Sequence, residues 1–513
     1  MPVSLTSDRI GHPQQRCLRL ARLIAIELAS IQRPTGDFPQ PGFYAGAFAV
    51  ALWQHLDPVT FADPVARALS FLRTEPKTRT WHYEFIDHAL RDAPGISDAT
   101  RTEILQGARP QNPPVANWRL MRLIALAQGN RRERLHAILA GRFFMRQFVR
   151  GGLIYDRKGC FSAQYHAFCA MLLSQSDDAR HRQLAQDATA LIAKLTDDHG
   201  HANLIGRGAG QSFGAVTALY ALLAHGYVPQ TTAILTRLES AMLADNSLPL
   251  NLLASGDLPG IPHDPSPDHP DTPGWYSYNR HYDYLAFAGY VLARAAQLPA
   301  VSPPEHATAP VVLPPDTLGI YRGDRYQAYG CVRGTAPYDI TPAPVVVADG
   351  AVLLPPTGGE QDFRSLYDSA SLPLPCLPRG RHFARFIGGA IGRNDMRVDF
   401  DLAGCKGQRH VHFAADHIRI TDHITPADDR SGTDDEFRLL RLFLPAGLVL
   451  HHPAPDILTD QNSGLTLTGS AALHIGPSHH FSAFGPVQLV FLTARMGQDG
   501  GCSGSVRLSW GVA

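Results

Sequence analysis

The stretch PAVSPPEHATAPVVLPP, from Pro299 to Pro315, divides the chain into two parts of different texture. Six of its 17 residues are proline, and such a composition stops helices and is typical of a semi-rigid linker. We place this linker at residues 299–316. The boundary matters because the periodicity of the apolar residues is different on its two sides.

Residues 1–298 carry apolar residues at helical spacing, in segments of roughly 10–20 residues separated by short Gly, Pro or Asp breaks. Many helices joined by short loops imply antiparallel neighbours, arranged either as an irregular bundle or as a ring of helical hairpins. The predicted helices include residues 18–31, 44–56, 115–127, 132–149, 164–173, 180–195, 211–224 and 278–296.

Residues 317–513 contain short alternating or apolar runs separated by Gly, Asp and Pro, which is typical of an antiparallel β-sandwich. Helices followed by strands indicate two domains, the first helical and the second a sandwich. The predicted strands include residues 397–402, 410–413, 417–423, 448–451, 465–468 and 487–492.

Composition excludes several classes of protein. The 513 residues include 46 basic and 46 acidic ones, and this balance argues against a nucleic-acid-binding protein, which needs a basic excess. No run approaches the ~18 apolar residues of a membrane span. The 7 cysteines form no CxxC pair, so neither a disulfide framework nor a zinc ribbon is predicted. Because no secretory signal is visible, we expect a cytoplasmic protein, or a periplasmic or secreted one if a signal was removed.

The densest aromatic and polar run is WYSYNRHYDY, residues 275–284, which follows a proline-rich loop at residues 262–273. Tyr278, His281 and Tyr282 share one helical face. Buried hydroxyl and imidazole groups need hydrogen-bonding partners, so we expect these side chains to line a hydrated cleft. The other candidates for ligand binding in this run are Trp275, Tyr276, Asn279 and Arg280.

A second segment, GCFSAQYHAF at residues 159–168, enters an apolar helix. Ser162 is the predicted N-cap, which places Gln164, Tyr165 and His166 in the first turn. An adjacent tyrosine and histidine can form an acid/base pair, although a histidine at such a position can also be structural.

A third segment, HANLIGRGAGQSFG at residues 201–214, is glycine-rich and leads into a helix. Arg207 and the helix N-terminus favour an anion there, and Gln211 lies at the same turn. A fourth segment begins a helix with Asn117 and Trp118. This pair is either a cap and a core anchor, or an amide that holds a substrate carboxylate beside an aromatic ring.

In the strand-rich part, His410 and His412 point to one face of a strand, as metal ligands do in a cupin. The downstream Glu and Gly of a cupin pattern are not found at matching spacing. We therefore predict no metal ion and no cofactor.

Taken together, the helical part, the linker, the β part and the four segments resemble the (α/α)-toroid polysaccharide lyases, such as the heparinase II/III and alginate lyase relatives. The resemblance implies an (α/α) toroid, meaning an incomplete barrel of helical hairpins, followed by an antiparallel β-sandwich. The resemblance covers nearly the whole chain in architecture. It implies that Asn117 and Arg207 neutralise a uronate carboxylate. It also implies that His166 and His281 are bases or charge stabilisers, and that the proton-transferring group is Tyr165, Tyr278 or Tyr282. The implied substrate-binding residues are Trp118, Gln164, Gln211, Trp275, Tyr276, Asn279 and Arg280. The chain departs from the family because the usual Asn-His or Asn-Asn pair is not evident.

The resemblance implies a polysaccharide lyase that cleaves a uronic-acid-containing glycan by β-elimination, with an anionic polysaccharide or oligosaccharide as its partner. A tyrosine has an ordinary pKa of about 10, so it can act as the base only beside a cation such as Arg207 or Arg280. One alternative is a toroidal glycoside hydrolase using carboxylates among Asp283, Asp156 and Glu84. Further alternatives are a uronate C5-epimerase and a non-catalytic glycan-binding protein.

Overall fold

A computed structural model gives the structure of the chain. The structure describes residues 12–39, 42–78, 81–111, 113–176, 178–253, 280–302, 317–335, 339–355, 358–360, 373–379, 382–426, 436–476, 480–482, 485–497 and 501–511.

The described residues up to 302 form twelve helices. They are α1 (Pro13–Ile31), α2 (Ala45–Leu56), α3 (Ala62–Thr74), α4 (Tyr83–Asp92), α5 (Asp98–Leu105), α6 (Ala116–Ala127), α7 (Arg131–Phe148), α8 (Ala163–Ser174), α9 (Ala179–Leu195), α10 (Ser212–Ala224), α11 (Val228–Ala241) and α12 (His281–Ala296). The helix predicted over residues 278–296 therefore begins at His281.

The even-numbered helices form an inner ring. Contacts run from α2 to α4, α6, α8, α10 and α12, and α12 contacts α2 again, so the ring closes on its inner side. Three of these helices, α2, α8 and α10, are buried over most of their length, because their sequences are apolar on every face. The odd-numbered helices α1, α3, α9 and α11 are amphipathic and bury one face. The predicted ring of helical hairpins is thus confirmed.

The strands are mostly in the second part of the chain. They are β1 (Val149–Arg150), β2 (Leu153–Ile154), β3 (Leu318–Arg322), β4 (Tyr326–Cys331), β5 (Val345–Ala348), β6 (Ala351–Leu354), β7 (Gly358–Glu360), β8 (Cys376–Leu377), β9 (His382–Phe383), β10 (Arg385–Ile391), β11 (Asp395–Leu402), β12 (Cys405–Phe413), β13 (His417–Pro426), β14 (Glu436–Pro445), β15 (Leu450–Ala454), β16 (Ile457–Asp460), β17 (Leu465–Gly469), β18 (Leu473–Ile475), β19 (His480–Ser482), β20 (Gly485–Arg495) and β21 (Cys502–Trp510).

Two large antiparallel sheets face each other in this part. One has the order β10-β11-β12-β13-β21-β17-β16-β15, and the other has the order β7-β19-β20-β14-β8-β9, with β18 also paired to β20. Burial alternates residue by residue along β12, as the sequence pattern predicts for a strand with one face in a core. Apolar side chains from both sheets, such as Phe400 and Leu492, share that core.

A third sheet, β3-β4-β5-β6, joins the β part to the helical ring. Its Tyr329 packs in one apolar cluster with Tyr155 and Phe161 of the helical part. The Tyr329 hydroxyl also donates a hydrogen bond to the carbonyl of Leu195, at 2.9 Å. The two parts therefore share a buried interface behind the residues that lead into α8.

Candidate active site

A cavity of about 370 Å³ opens at one end of the inner ring. Every even-numbered helix contributes to its wall with a residue from its first turn or from the position just before it. These residues are Tyr44 for α2, His82 for α4, Asn117 and Trp118 for α6, Tyr165 for α8, Phe213 for α10, and Arg280, Asp283 and Tyr284 for α12. Because a helix N-terminus carries a partial positive charge, six such ends around one cavity favour an anionic ligand.

Asn117 is the second residue of α6 and is only 1% exposed. Its Oδ1 is buried and has no hydrogen-bonding partner among the described residues. A buried amide oxygen without a partner costs free energy, so this side chain is poised for a ligand rather than for a neighbour. Trp118 stands beside it, with its ring centroid 5.0 Å from that of His82.

Tyr165 and Arg207 form the second group at the cavity. The Arg207 guanidinium lies over the Tyr165 ring, with its central carbon 4.3 Å from the ring centroid. Both oxygens of the Asp156 carboxylate accept hydrogen bonds from Arg207, from Nε and from Nη2, each at 3.0 Å. Arg207 therefore already has a carboxylate partner, and one face of its guanidinium is directed at the Tyr165 ring.

In the segment 159–168, Ser162 is the N-cap of α8, as the sequence predicts. Ser162 precedes α8, and its Oγ accepts a hydrogen bond from the Tyr165 backbone N–H at 3.3 Å. The Ser162 hydroxyl in turn donates to the carbonyl of Arg207, at 2.7 Å. The cap thus joins the start of α8 to the loop that carries Arg207.

That loop depends on glycine at two positions. Gly206 and Gly208 have φ of +79° and +81°, in the left-handed region that favours glycine. A Cβ at Gly206 would lie 2.3 Å from the carbonyl oxygen of Phe161. Any larger residue would push the loop, and Arg207 with it, away from α8.

Arg280 is the N-cap residue of α12 and lies across the cavity, near the ring of Phe43. Its Nε and Nη1 are buried and have no hydrogen-bonding partner among the described residues. Arginine prefers bidentate contact with a carboxylate. Arg280, rather than Arg207, is therefore the cation at this cavity that is open to an anionic ligand.

Asp283 holds α2 to α12. Its Oδ1 accepts hydrogen bonds from the backbone N–H groups of Tyr44 and Ala45 at 2.8 and 2.7 Å, and Oδ2 accepts one from Phe43 at 2.8 Å. Burial raises the pKa of this carboxyl to about 6, even though these N–H groups oppose the shift. With its oxygens occupied, Asp283 is a cap for α2 and not a free acid.

His82 lines the cavity but was not among the predicted site residues. Its ring packs 4.4 Å from Phe43 and 5.0 Å from Trp118, between centroids. The run Trp81-His82-Tyr83 has the same mixture of aromatic and polar residues as the run at 275–284. This mixture of aromatic and polar residues is the sequence feature from which His82 could have been predicted as a site residue.

Glu84 lies behind the wall of the cavity, in the first turn of α4. Its Oε2 accepts a hydrogen bond from the backbone N–H of Gln111, at 3.3 Å, and its Oε1 has no partner among the described residues. Burial is the main cause that raises the pKa of this carboxyl to about 7.

The structure argues against the predicted catalytic role of His166. Its side chain is 0% exposed, Nδ1 accepts from the Ile154 backbone N–H at 3.1 Å, and Nε2 donates to the Ala188 carbonyl at 3.0 Å. Burial lowers its pKa to about 4, which keeps the ring neutral. With both nitrogens occupied away from the cavity, His166 is a core residue that ties β2 to α9.

Four other predicted residues are described but do not line the cavity. Gln164 and Gln211 are each 1% exposed, and His281 is 3% exposed. Tyr282 is half-buried, with its ring stacked 5.7 Å from that of Phe38. Trp275, Tyr276, Tyr278 and Asn279 lie outside the described residues.

A larger cavity, of about 1020 Å³, lies between α11 and the β part. The residues around it include His199, His201 and Arg237. His201 is paired through Nδ1 with Asp197, at 2.8 Å. None of the predicted site residues that the structure describes is on its wall, and we therefore place the candidate site in the smaller cavity.

His410 and His412 are exposed on β12, where His410 is paired in register with Thr421 and His412 with Arg419. Within the described part of the chain, no group of three or more His, Cys, Asp or Glu side chains is arranged to hold a metal ion. In the same part, no helix combines the length and the apolar content needed to cross a bilayer.

Comparison of the structure with solved structures finds polysaccharide lyases. Chondroitin AC lyase of Streptomyces coelicolor A3, solved with chondroitin sulphate, aligns with 100% of this chain and 81% of its own, at 13% identity and a TM-score of 0.50. Xanthan lyase of Paenibacillus aligns with 100% of this chain and 58% of its own, at 11% identity and a TM-score of 0.48. Heparan sulfate lyase HepC of Pedobacter heparinus aligns with 99% and 84%, at 10% identity and a TM-score of 0.30.

No protein-family model matches the sequence, and no curated protein matches it either. The chondroitin AC lyase structure is similar to this chain over its whole length. The order of the elements agrees with it, since a closed inner ring of helices is followed by antiparallel sheets. The chain thus has the fold of the (α/α)-toroid polysaccharide lyases with a β-sandwich after the toroid.

Proposed function

We propose that the chain is a polysaccharide lyase that cleaves a uronic-acid-containing glycan by β-elimination in the cavity of the helical ring. The observation that carries the proposal is the meeting of Asn117, Tyr165 and Arg280 in one cavity at the N-termini of the inner helices. The chondroitin AC lyase structure, solved in complex with chondroitin sulphate, supports the same class of substrate.

The proposed roles follow from which polar groups at the cavity have a hydrogen-bonding partner and which do not. Arg280 has unpartnered donors and binds the uronate carboxylate. The Asn117 amide, which can present either of its ends by rotation, contacts the same carboxylate as charge builds on it. Neutralising that charge acidifies the C5–H bond, and one preorganised contact of this kind is worth about 10²–10³ in rate.

Tyr165 takes the proton. With the Arg207 guanidinium over its ring, the phenolate form is stabilised electrostatically. The Tyr165 oxygen accepts the C5 proton, the C5–H electron pair forms the C4=C5 double bond, and the bond from C4 to the glycosidic oxygen breaks. The departing glycosidic oxygen then takes this proton from the Tyr165 phenol, and the Tyr165 phenolate is regenerated. A positioned base of this kind contributes about 10²–10⁴ in rate.

The hydrolase alternative has less support. A glycoside hydrolase needs two carboxyl groups that face the substrate. Asp283 accepts bonds from three backbone N–H groups, and Asp156 is paired with Arg207. Glu84 is behind the wall and not in it. None of the three candidate carboxyl groups is therefore free to act across a glycosidic bond.

The test is to incubate the protein with a panel of uronate polymers and to record the ultraviolet absorbance of an unsaturated uronate. A product with a new double bond supports the lyase, and cleavage without one contradicts it. Running the reaction in deuterium oxide distinguishes an epimerase from a lyase, because an epimerase would incorporate deuterium at C5 without cutting the chain. Binding without any covalent change would favour the non-catalytic alternative.

A further inference from the structure

Helix α7 (Arg131–Phe148) exposes an apolar surface that the proposed reaction does not use. The structure has twelve large apolar side chains that are exposed among its described residues, and five of them lie on this one helix. Their exposed fractions range from 43% to 60%, and the residues are Leu135, Ile138, Leu139, Phe143 and Met145. Exposed apolar side chains concentrated in this way mark an interaction surface.

The apolar residues share one outward face because of their spacing. Leu135, Ile138, Leu139 and Phe143 follow the i, i+3, i+4 and i+8 pattern of a helical stripe. The opposite face is the one that packs on the ring, through buried residues such as Phe144. The exposed stripe is therefore not needed for packing of the ring, and at Phe143 it borders a shallow groove between α6 and α7.

Five exposed arginines are interleaved with the stripe: Arg131, Arg132, Arg134, Arg142 and Arg146. None of them forms an ion pair with a carboxylate of the described chain. Glu133 is the one acidic residue of the helix, and its carboxylate is used in the capping box, where Oε2 accepts from the Asn130 backbone N–H at 2.7 Å. The face thus carries an uncompensated positive charge, although the whole chain is neutral.

We infer that α7 docks this protein onto an anionic lipid surface. A second copy is disfavoured as the occupant, because a symmetric contact would bring two sets of five arginines together. A glycan, including the anionic polymer proposed as substrate, is disfavoured because the stripe is mainly aliphatic, whereas sugar rings stack on aromatic side chains. On an anionic bilayer, the aliphatic side chains and Phe143 insert at the headgroup boundary, and the arginines bind lipid phosphates. Such a bilayer therefore matches both the apolar stripe and the positive charge of α7. This inference goes beyond the proposed lyase reaction and does not depend on it.

The test is flotation of the full chain with vesicles of phosphatidylcholine alone and of phosphatidylcholine mixed with phosphatidylglycerol. We expect binding to the mixed vesicles, weakened by salt, and little binding to phosphatidylcholine alone. The double variant Arg142→Glu, Arg146→Glu should lower the apparent affinity about tenfold or more. The double variant Leu139→Ser, Phe143→Ser should also weaken binding, but with the salt dependence retained.

Matched controls carry the same changes elsewhere. Val59→Ser and Val449→Ser remove exposed apolar side chains, and Arg393→Glu, Arg419→Glu reverses exposed charges, all outside α7. These variants should bind vesicles like the wild type. Turnover of a soluble polymer by the α7 variants should be unchanged, so failure of the docking surface and failure of the lyase proposal are separate results.

Three outcomes would overturn the inference. The first is absence of binding to the mixed vesicles by wild-type protein that is folded by circular dichroism. The second is equal binding to both vesicle types with no effect of the arginine reversals. The third is a concentration-dependent dimer that the α7 variants abolish while vesicle binding is absent, which would assign the face to a second copy of the chain.

Discussion

Asp156 connects two groups of the candidate site through different atoms. Its carboxylate holds Arg207 over the Tyr165 ring, and its backbone carbonyl accepts a hydrogen bond from the Ala116 N–H at 2.8 Å, directly before Asn117. The side chain is buried and makes no contribution to the cavity wall. Asp156 is thus a positioning residue for both the amide and the proposed base.

We expect Asp156→Asn to lower kcat by about 10²-fold with a smaller effect on KM, because a misplaced base costs rate more than binding. The rising limb of the pH–rate profile should also move to higher pH, since the cation over Tyr165 is no longer held in place. Steady-state kinetics over a pH series measure both changes. Asp98→Asn, at an exposed position in α5, is the control. An unchanged kcat with Arg207 still in place would contradict the positioning role.

Tyr165→Phe removes the proposed base while leaving the aromatic ring. We expect kcat to fall by about 10²–10⁴-fold with the melting temperature little changed. Tyr282→Phe makes the same change on α12 outside the cavity, where the ring stacks on Phe38, and should retain activity. If the two variants were equally active, the proton transfer would have to be assigned to another group.

Asn117→Ala should lower kcat/KM by about 10²–10³-fold on a uronate polymer, because charge that develops on the carboxylate loses a preorganised contact. Binding of the polymer, followed by quenching of the tryptophan fluorescence, should weaken much less. Asn130→Ala is a control at a different helix start, where the side chain only caps α7. It should cost about 1 kcal/mol of stability and leave the kinetics intact.

The His166→Ala variant should have a lower free energy of unfolding than the wild type but the same kcat. The change leaves the buried Ile154 N–H without its partner, at a cost of about 1–3 kcal/mol, whereas the Ala188 carbonyl keeps its helical hydrogen bond within α9. Urea unfolding measures the loss, and kcat of the folded fraction should stay within about twofold. A large fall in kcat without loss of stability would return His166 to the catalytic set.

The two buried groups Glu84 and His166 should make opposite contributions to stability as pH changes. The pKa of Glu84 is raised to about 7, so its contribution is present at low pH and is lost as pH rises from 4.5 to 7. The pKa of His166 is lowered to about 4, so its contribution is lost as pH falls from 6.5 to 4.

Glu84→Gln removes the first of these contributions. Relative to the wild type, this variant should gain stability on going from pH 4.5 to 7, by at most about 3 kcal/mol. Urea midpoints measured across that range test the sign. A difference between the two proteins that does not vary with pH would show that the Glu84 carboxyl titrates at its ordinary value in the fold.

Much of the fold was predictable because it depends on short-range patterns. The helical spacing before Pro299, the alternation in β12 and the Ser162 cap all follow from local sequence, and the structure confirms them. The cavity was predictable in part for the same reason, since Asn117 and Tyr165 were assigned to first turns and the ring brings first turns together.

What could not be predicted depends on contacts far apart in sequence. His166 is adjacent to Tyr165, but successive residues of a helix point in directions 100° apart, so one faces the cavity and the other the core. The role of Asp283 as a cap for α2 involves residues about 240 positions away in the chain. The pairing of Arg207 with Asp156 spans 51 residues. No local pattern indicates such partners.

The apolar cluster that joins Tyr155 and Phe161 to Tyr329 and Val345 has an evolutionary consequence. The segment leading to Tyr165 lies between the candidate cavity on one side and the β3-β4-β5-β6 sheet on the other. A toroid of this kind cannot exchange its β partner by simple domain shuffling, because a new partner would have to refill the same cluster. Substitutions at Tyr329 should therefore be inherited together with compensating changes at Phe161 and Leu195.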